Sequence, residues 1–240
     1  MTDITNLQVP SGVSYKPFDI ELLKAMFEAG FIKHSETPFT LKSGIQSNVY
    51  VFGREDLTDN PNLEWLIGQK ITRLLTETAT PEDKQVCLIG IPTAGTPFAQ
   101  TAAMVSWYLQ CFVNSRPVCH RIMKEVPKDH GAHKGWINGK PKPNHSYWLV
   151  DNVATNGASK LEAREKMRAD GYPDSAGVVI WIDRQQGALR RLEEADFNRV
   201  IVAYNLLDVT FAYGEMGLWP KEAVKAVEDE IAAHQFLPTA

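Results

Sequence analysis

Hydrophobic and polar positions along this 240-residue chain fall into two periods that take turns. Residues 1–17 show neither period and read as an irregular arm. Ile20, Leu23, Met26 and Phe27 then recur at helical spacing behind Asp19, a capping residue type. Gly30 stops the run, so the spacing predicts a helix to Ala29. Phe39–Leu41 and Asn48–Phe52 are strand-like around a turn at Ser43-Gly44. Asp59-Asn60-Pro61 opens a second helix, with Leu63, Leu66, Ile67, Ile71 and Leu74 on one face. From there short apolar runs alternate with helical patterns. Strands are expected at Val86–Ile91, Pro117–Met123, Tyr147–Val150, Gly177–Ile182 and Arg199–Tyr204. Helices are expected at Thr96–Leu109, Lys160–Ala169, Leu189–Glu194 and Pro220–His234. This alternation predicts an α/β fold around a mostly parallel sheet flanked by helices. Residues 1–60 would form an arm and small N-terminal hood, and residues 61–240 the core, within one structural domain.

Ligands of such sheets sit outside the carboxyl ends of the strands. Three loops follow strands there: Pro92–Pro97, Asp151–Ser159 and Asp183–Gly187. The second is the most informative. The apolar run ends at Asp151-Asn152, and Thr155-Asn156-Gly157-Ala158-Ser159 then leads into a helix. Small residues at a helix start turn backbone N–H groups inward, where they and the helix dipole hold a phosphate. A carboxylate just upstream is placed for sugar hydroxyls or a magnesium-bound water. Phosphate and ribose recognised side by side point to a phosphoribosyl ligand.

Composition changes the picture little: 44% hydrophobic, 22% charged, net charge -4. The acidic balance argues against general nucleic-acid binding. No apolar run reaches the roughly 20 residues of a membrane span, and the N-terminus lacks the basic and apolar regions of a signal peptide. Cys87, Cys111 and Cys119 are odd in number without CxxC spacing, which suggests reduced thiols in a cytoplasmic protein. The charge is uneven, however. Arg116 to Lys142 carries seven Lys/Arg against two acids, with three His besides. A solvated basic loop would explain that, but its place directly before the phosphate loop favours an anionic substrate.

Three further motifs accompany the phosphate loop, each with an ordinary explanation when taken alone. Thr40-Leu41-Lys42-Ser43-Gly44 puts a lysine beside a turn, as a surface hairpin does. Lys124–Gly131 is a basic, glycine-ended loop. Asp183-Arg184-Gln185-Gln186-Gly187 sets an arginine at a strand end, suited to gripping a carboxylate or to a structural Asp–Arg pair. In this order and spacing, the four motifs resemble those of the orotate phosphoribosyltransferases, of the type I phosphoribosyltransferase family, over Phe18 to Leu207. Gly90–Pro97 is similar to the family's pyrophosphate-binding turn.

The resemblance implies transfer of phosphoribose from phosphoribosyl pyrophosphate (PRPP) to orotate, with Mg2+ as cofactor, in pyrimidine synthesis. Lys42, Tyr50 and Arg184 would hold orotate. Thr93, Ala94 and Gly95 would meet pyrophosphate, and Thr155, Asn156, Gly157, Ala158 and Ser159 the 5′-phosphate. Asp151 and Asn152 would meet the ribose, with Asp151 favouring the developing oxocarbenium charge. Lys124, Lys128 and His130 would neutralise the leaving group. No residue is implied as a sure magnesium ligand; PRPP would carry the ion, with Asp151 reaching it through water. A homodimer is implied, its loop 123–135 reaching the neighbouring site, with no nucleic-acid or membrane partner.

The chain departs from the family's pattern at several points. Asn152 stands where a second acid is usual. The loop is one residue longer between Glu125 and Lys128, so Met123 or Lys124 takes the place of an arginine. Ala132–Gly135 lacks the acidic continuation after the loop, and Phe52-Gly53-Arg54 lacks an acid. A phosphoribosyltransferase for another base, and a catalytically weak PRPP- or nucleotide-binding regulator, therefore stand as alternatives.

Overall fold

The computed structural model describes residues 4–41, 44–53, 57–78, 84–126, 135–136, 140–197 and 199–234. Its centre is a five-stranded sheet in the order β6-β5-β7-β8-β9, every neighbouring pair parallel. The strands are β5 (Gln85–Gly90), β6 (Cys119–Ile122), β7 (His145–Ala154), β8 (Gly177–Asp183) and β9 (Val200–Asn205). Both faces are covered, which is why the central strands read as unbroken apolar runs. Trp148, Val150, Val179 and Trp181 point into one core, against α1 (Pro17–Glu28), α2 (Pro61–Thr78) and α3 (Gly95–Tyr108). Tyr147, Leu149, Val178 and Ile180 point into the other, against α4 (Ala158–Ala169) and α5 (Ala188–Glu194). At roughly 25 cal/mol per Å² of apolar surface, these two layers supply the main driving force for folding.

Element by element, local chemistry agrees with these boundaries. Asn60 caps α2, its Oδ1 accepting the Leu63 N–H at 3.1 Å, with Pro61 in the first helical position. Asp19 does not cap α1. Lys16 holds the cap position, and Asp19 sits three residues on, its Oδ2 accepting the Lys16 N–H at 3.2 Å. Asp19 Oδ1 also receives Lys70 Nζ at 2.7 Å and the Tyr204 hydroxyl at 2.9 Å, tying α1 to α2 and β9.

Two elements escape the periodic reading. The arm contains a short hairpin, β1 (Leu7–Gln8) with β2 (Ser14–Tyr15), pinned where Asp208 Oδ1 accepts the Ser11 N–H at 3.0 Å. A helix, α6 (Leu206–Glu215), follows β9 with no glycine or proline between them. The last helix, α7, spans Lys221–His234. Among the described residues, no helix is long and apolar enough to cross a membrane.

The antiparallel hairpin β3 (Ile32–Thr40) and β4 (Gln46–Val51) lies outside the central sheet. A buried ionic cluster fastens it. Arg184, leaving the end of β8, donates to Ser47 Oγ at 2.8 Å and to the Val49 carbonyl at 3.0 Å on β4. It also donates to Glu230 Oε1 on α7 at 2.8 Å. Ser47 Oγ in turn donates to Glu230 Oε2 and to the Val49 carbonyl. Side-chain exposures of 2% for Arg184 and 10% for Glu230 place the pair in the interior. Removing one partner strands the other charge out of water. Glu230→Ala is expected to lower unfolding free energy by about 3–5 kcal/mol in urea denaturation, and Glu230→Gln, which keeps a hydrogen-bond acceptor, by less.

Candidate active site

At the carboxyl ends of β5 and β7 the sheet opens into a cavity of about 530 Å³. It is lined by the turn Ile91–Ala94, by Glu125, and by Asp151–Val153 and Thr155–Lys160. That volume suits a sugar phosphate. Two glycines help to shape it. Gly95 lies so close to the Val150 carbonyl that any Cβ would collide with it, which lets the turn after β5 fold down beside β7. The peptide between Pro92 and Thr93 is cis. Gly157 caps α4 at φ +78, and a Cβ there would press on the Ala188 carbonyl at 3.3 Å.

β7 does not stop at Val150. It runs on through Asp151 and Asn152 to Ala154, because the Asp151 carboxylate finds partners indoors. Asp151 Oδ1 accepts the Asn152 N–H at 2.9 Å, and Oδ2 accepts the Ser159 hydroxyl at 3.2 Å. Oδ2 also forms an ion pair with Lys160 Nζ at 2.6 Å, at side-chain exposures of 9% and 2%. Lys160 Nζ donates as well to the Val153 carbonyl and to Ser159 Oγ. Sequence reasoning used Lys160 only as the start of a helix. The available signal was a lysine in a first helical turn, where the dipole disfavours a cation unless a carboxylate holds it. Ala158 N–H is taken by Asn156 Oδ1 at 3.2 Å, which closes the loop on itself.

The base of the basic loop borders this cavity. Met123 and Trp136 form an isolated antiparallel bridge, and Lys124 N–H donates to the Gly135 carbonyl at 2.9 Å. Trp136 is buried, stacked on Tyr172, and its Nε1–H donates to Asp170 at 2.7 Å. Glu125, not Lys124, is the described residue of the loop that lines the cavity, and its Oε2 accepts the Thr93 hydroxyl at 3.1 Å. The Lys124 carbonyl accepts Lys166 Nζ from α4 at 3.0 Å.

The structure thus brings together Thr93, Ala94, Asp151, Asn152 and Thr155–Ser159 around one cavity, with Gly95 directly behind it. It does not bring Arg184 there. That guanidinium points away to β4 and α7, and it is neither the free carboxylate grip nor the Asp–Arg pair that the sequence offered; its partner is Glu230. Tyr50 sits on β4 in an aromatic group, 5.2 Å from Phe39 and 4.6 Å from Phe52 between ring centroids. Asn152 reaches across to this hairpin: a Cβ on Gly53 would come within 2.9 Å of Asn152 Nδ2. Lys42, Lys128 and His130 lie outside the described residues.

No protein-family model matches the chain. In sequence it is 28% identical over 187 residues to the orotate phosphoribosyltransferase of Nostoc sp., a span of 78% of this chain and 84% of that protein. It is 31% identical over 196 residues to the uridine 5′-monophosphate synthase of Caenorhabditis elegans, covering 80% of this chain and only 35% of the synthase. In structure, the orotate phosphoribosyltransferase from Aeropyrum pernix superposes with a TM-score of 0.56 at 24% identity, over 83% of this chain and 99% of that one. The chain is thus similar, over about four fifths of its length, to orotate phosphoribosyltransferases at the level of distant relatives. Its parallel sheet and flanking helices are the type I phosphoribosyltransferase fold. Asn152, one of its departures from the family pattern, lies against Gly53, the residue after Phe52 in the segment that also lacks an acid.

One buried acid, at the end of β8, makes the stability of the fold sensitive to pH. Burial pushes the Asp183 carboxyl up to about 6, against the Gln185 amide and the Lys160 charge, which pull it down. Its Oδ1 has no hydrogen-bond partner. The folded state therefore binds the proton more tightly than the unfolded chain. This contribution is fully present below about pH 4 and is lost as pH rises through 6. Asp183→Asn removes the titration. Its stability relative to the parent protein should rise between pH 4 and pH 7 by up to about 3 kcal/mol, read from urea midpoints at the two pH values.

Proposed function

We propose that the protein transfers phosphoribose from PRPP to orotate, giving orotidine 5′-monophosphate and pyrophosphate in pyrimidine synthesis. The observation that carries this reading is the cradle from Asp151 to Ser159 at the end of β7, in a chain whose sequence relatives are orotate phosphoribosyltransferases. The amino end of α4, with its Thr155 and Ser159 hydroxyls, suits a 5′-phosphate, and Lys160 beneath it adds the one cation among the described lining residues. Asp151 retains lone pairs beyond its protein partners for ribose hydroxyls. The Pro92–Gly95 turn faces the leaving pyrophosphate, and Lys128 and His130 in the adjoining loop would neutralise it while the loop excludes water.

Mg2+ is part of the proposal. The cavity offers oxygen donors from Thr93, Glu125, Asp151 and Asn152, a hard set that fits magnesium and its waters. When bound, the ion would offset pyrophosphate charge. Among this chain's own residues, Glu125 and Asp151 would orient its water shell.

For the base, Lys42 and Tyr50 are the proposed contacts. Arg184 acts one step back as a positioning residue, holding β4 and hence Tyr50 in place through Ser47 and the Val49 carbonyl. The same pairing favours a second reading, because an arginine already neutralised by Glu230 leaves a base without a carboxylate as the alternative acceptor.

Loss of orotate ultraviolet absorbance, measured with purified protein, PRPP and Mg2+, tests the proposal. Loss that requires all three components is expected. No loss with orotate, but pyrophosphate release with another base, would move the assignment to the second reading. Asn152→Asp restores a negative charge beside the developing cation and should raise kcat about tenfold, the equivalent of 1.36 kcal/mol.

We further propose a cytoplasmic homodimer in which loop 123–135 of one copy serves the other's site. Met104, Trp107, Tyr108 and Leu109 at the end of α3 are 62%, 67%, 74% and 46% exposed, an apolar patch of the kind that marks protein contacts. Trp107→Glu should convert a dimer into a monomer in light scattering and reduce turnover at the same protein concentration.

A further inference from the structure

At the opposite end of the sheet from the cavity, three side chains that the phosphoribosyl reading does not use converge. Cys87 on β5 and Cys119 on β6 are register partners on neighbouring parallel strands. His145 opens β7, in register with Gln85 and two residues before Tyr147, the partner of Cys87. The two-residue period of strands sends all three side chains to one face. The two Sγ atoms and an imidazole nitrogen lie within 4.8 Å of one another. Cys87 and His145 are buried, and Cys119 is half-buried, which leaves a way in from solvent.

We propose that Cys87, Cys119 and His145 form a binding site for a borderline-soft divalent ion, zinc by preference. Two thiolates and an imidazole are a zinc donor set and a poor one for magnesium. Tetrahedral zinc with ordinary Zn–S and Zn–N bonds spaces its ligand atoms about 3.5–3.8 Å apart, so the three need close by no more than about an ångström. On binding, each thiol releases its proton to solvent and donates a sulfur lone pair. Nothing is oxidised, and the dication and two thiolates sum to zero charge. The fourth position is left to water. Coordination through Nε2 would leave Nδ1 to the Tyr147 hydroxyl, 3.4 Å away and itself accepting the Lys142 N–H at 2.8 Å. Such partners set the orientation of a ligating imidazole.

The location separates this site from the reaction. His145 precedes Asp151 by six residues of the same strand, roughly 20 Å at strand rise. The ion would join the amino ends of β6, β5 and β7, and its role is structural.

Cobalt reports such a site directly. The full-length protein, metal-stripped and kept reduced with a phosphine, is titrated with Co2+. One equivalent is expected to give a thiolate-to-cobalt charge-transfer band with tetrahedral visible bands, bleached by added Zn2+ and untouched by Mg2+. Cys119→Ser and His145→Gln should each weaken cobalt binding at least tenfold, whereas Cys111→Ser should leave it unchanged. Zinc at a hundredfold excess over its dissociation constant should raise the melting temperature by about 5 °C, and should fail to do so in Cys119→Ser. Absence of the charge-transfer band in the parent protein overturns the proposal whatever the variants do. Unchanged cobalt affinity in Cys119→Ser, or loss of the band in Cys111→Ser, overturns it equally.

Discussion

The cavity depends on one buried ion pair, Asp151 with Lys160. Lys160 sits in the first turn of α4, where the helix dipole repels it, and its side chain is almost entirely out of water. Only the Asp151 carboxylate, the Val153 carbonyl and the Ser159 hydroxyl make that position tolerable. The pair works in both directions. It lets β7 carry a carboxylate into the interior, and it draws the start of α4 down onto the end of the strand. The intervening loop then has to close tightly, and Gly157 in its left-handed conformation is the residue that allows it. The shape of the cavity's floor follows from electrostatics that concern the loop's underside.

A second buried pair, Arg184 with Glu230, plays the corresponding part for the hood. It joins the end of β8, the β4 strand and α7 at a single guanidinium, so the aromatic group around Tyr50 is held at a fixed height above the sheet. Neither pair leaves a free cation on the described walls of the cavity, which also carry Glu125. Asp151 is balanced by Lys160, and Arg184 is spent on Glu230. On the proposed reaction, recognition of a highly anionic substrate would then fall to the α4 dipole, to a metal ion carried in with the substrate, and to the lysines that follow Glu125 in sequence.

How much of this was legible in the sequence depends on the range of each interaction. The alternation of strands and helices is local and periodic, and it placed the five central strands within a few residues. The strand end at Asp151 was misjudged because a polar residue looks like a terminus until its partner is known. Lys160 is only nine residues from Asp151, yet a lysine at a helix start reads as solvated. Arg184 is harder still, since Glu230 lies 46 residues away on a helix beyond the stretch that carries the family resemblance. The α6 helix was missed for want of any breaker after β9. The β1–β2 hairpin has two residues a strand, too few to show a period.

The contact between Asn152 and Gly53 shows how these constraints bear on chemistry. With Lys160 already neutralising Asp151, a second acid at position 152 would add an uncompensated negative charge at the end of β7. An asparagine gives that up, and it meets a glycine in the hood where a larger side chain would clash with its amide. The two positions therefore make sense as a pair: a neutral amide can approach the hairpin closely where a hydrated carboxylate would resist losing its water. On the proposed reaction, Asn152 would exchange transition-state charge for closer hood packing. The carboxylate variant tests both sides of that exchange, since faster turnover from Asn152→Asp should come with a less stable protein.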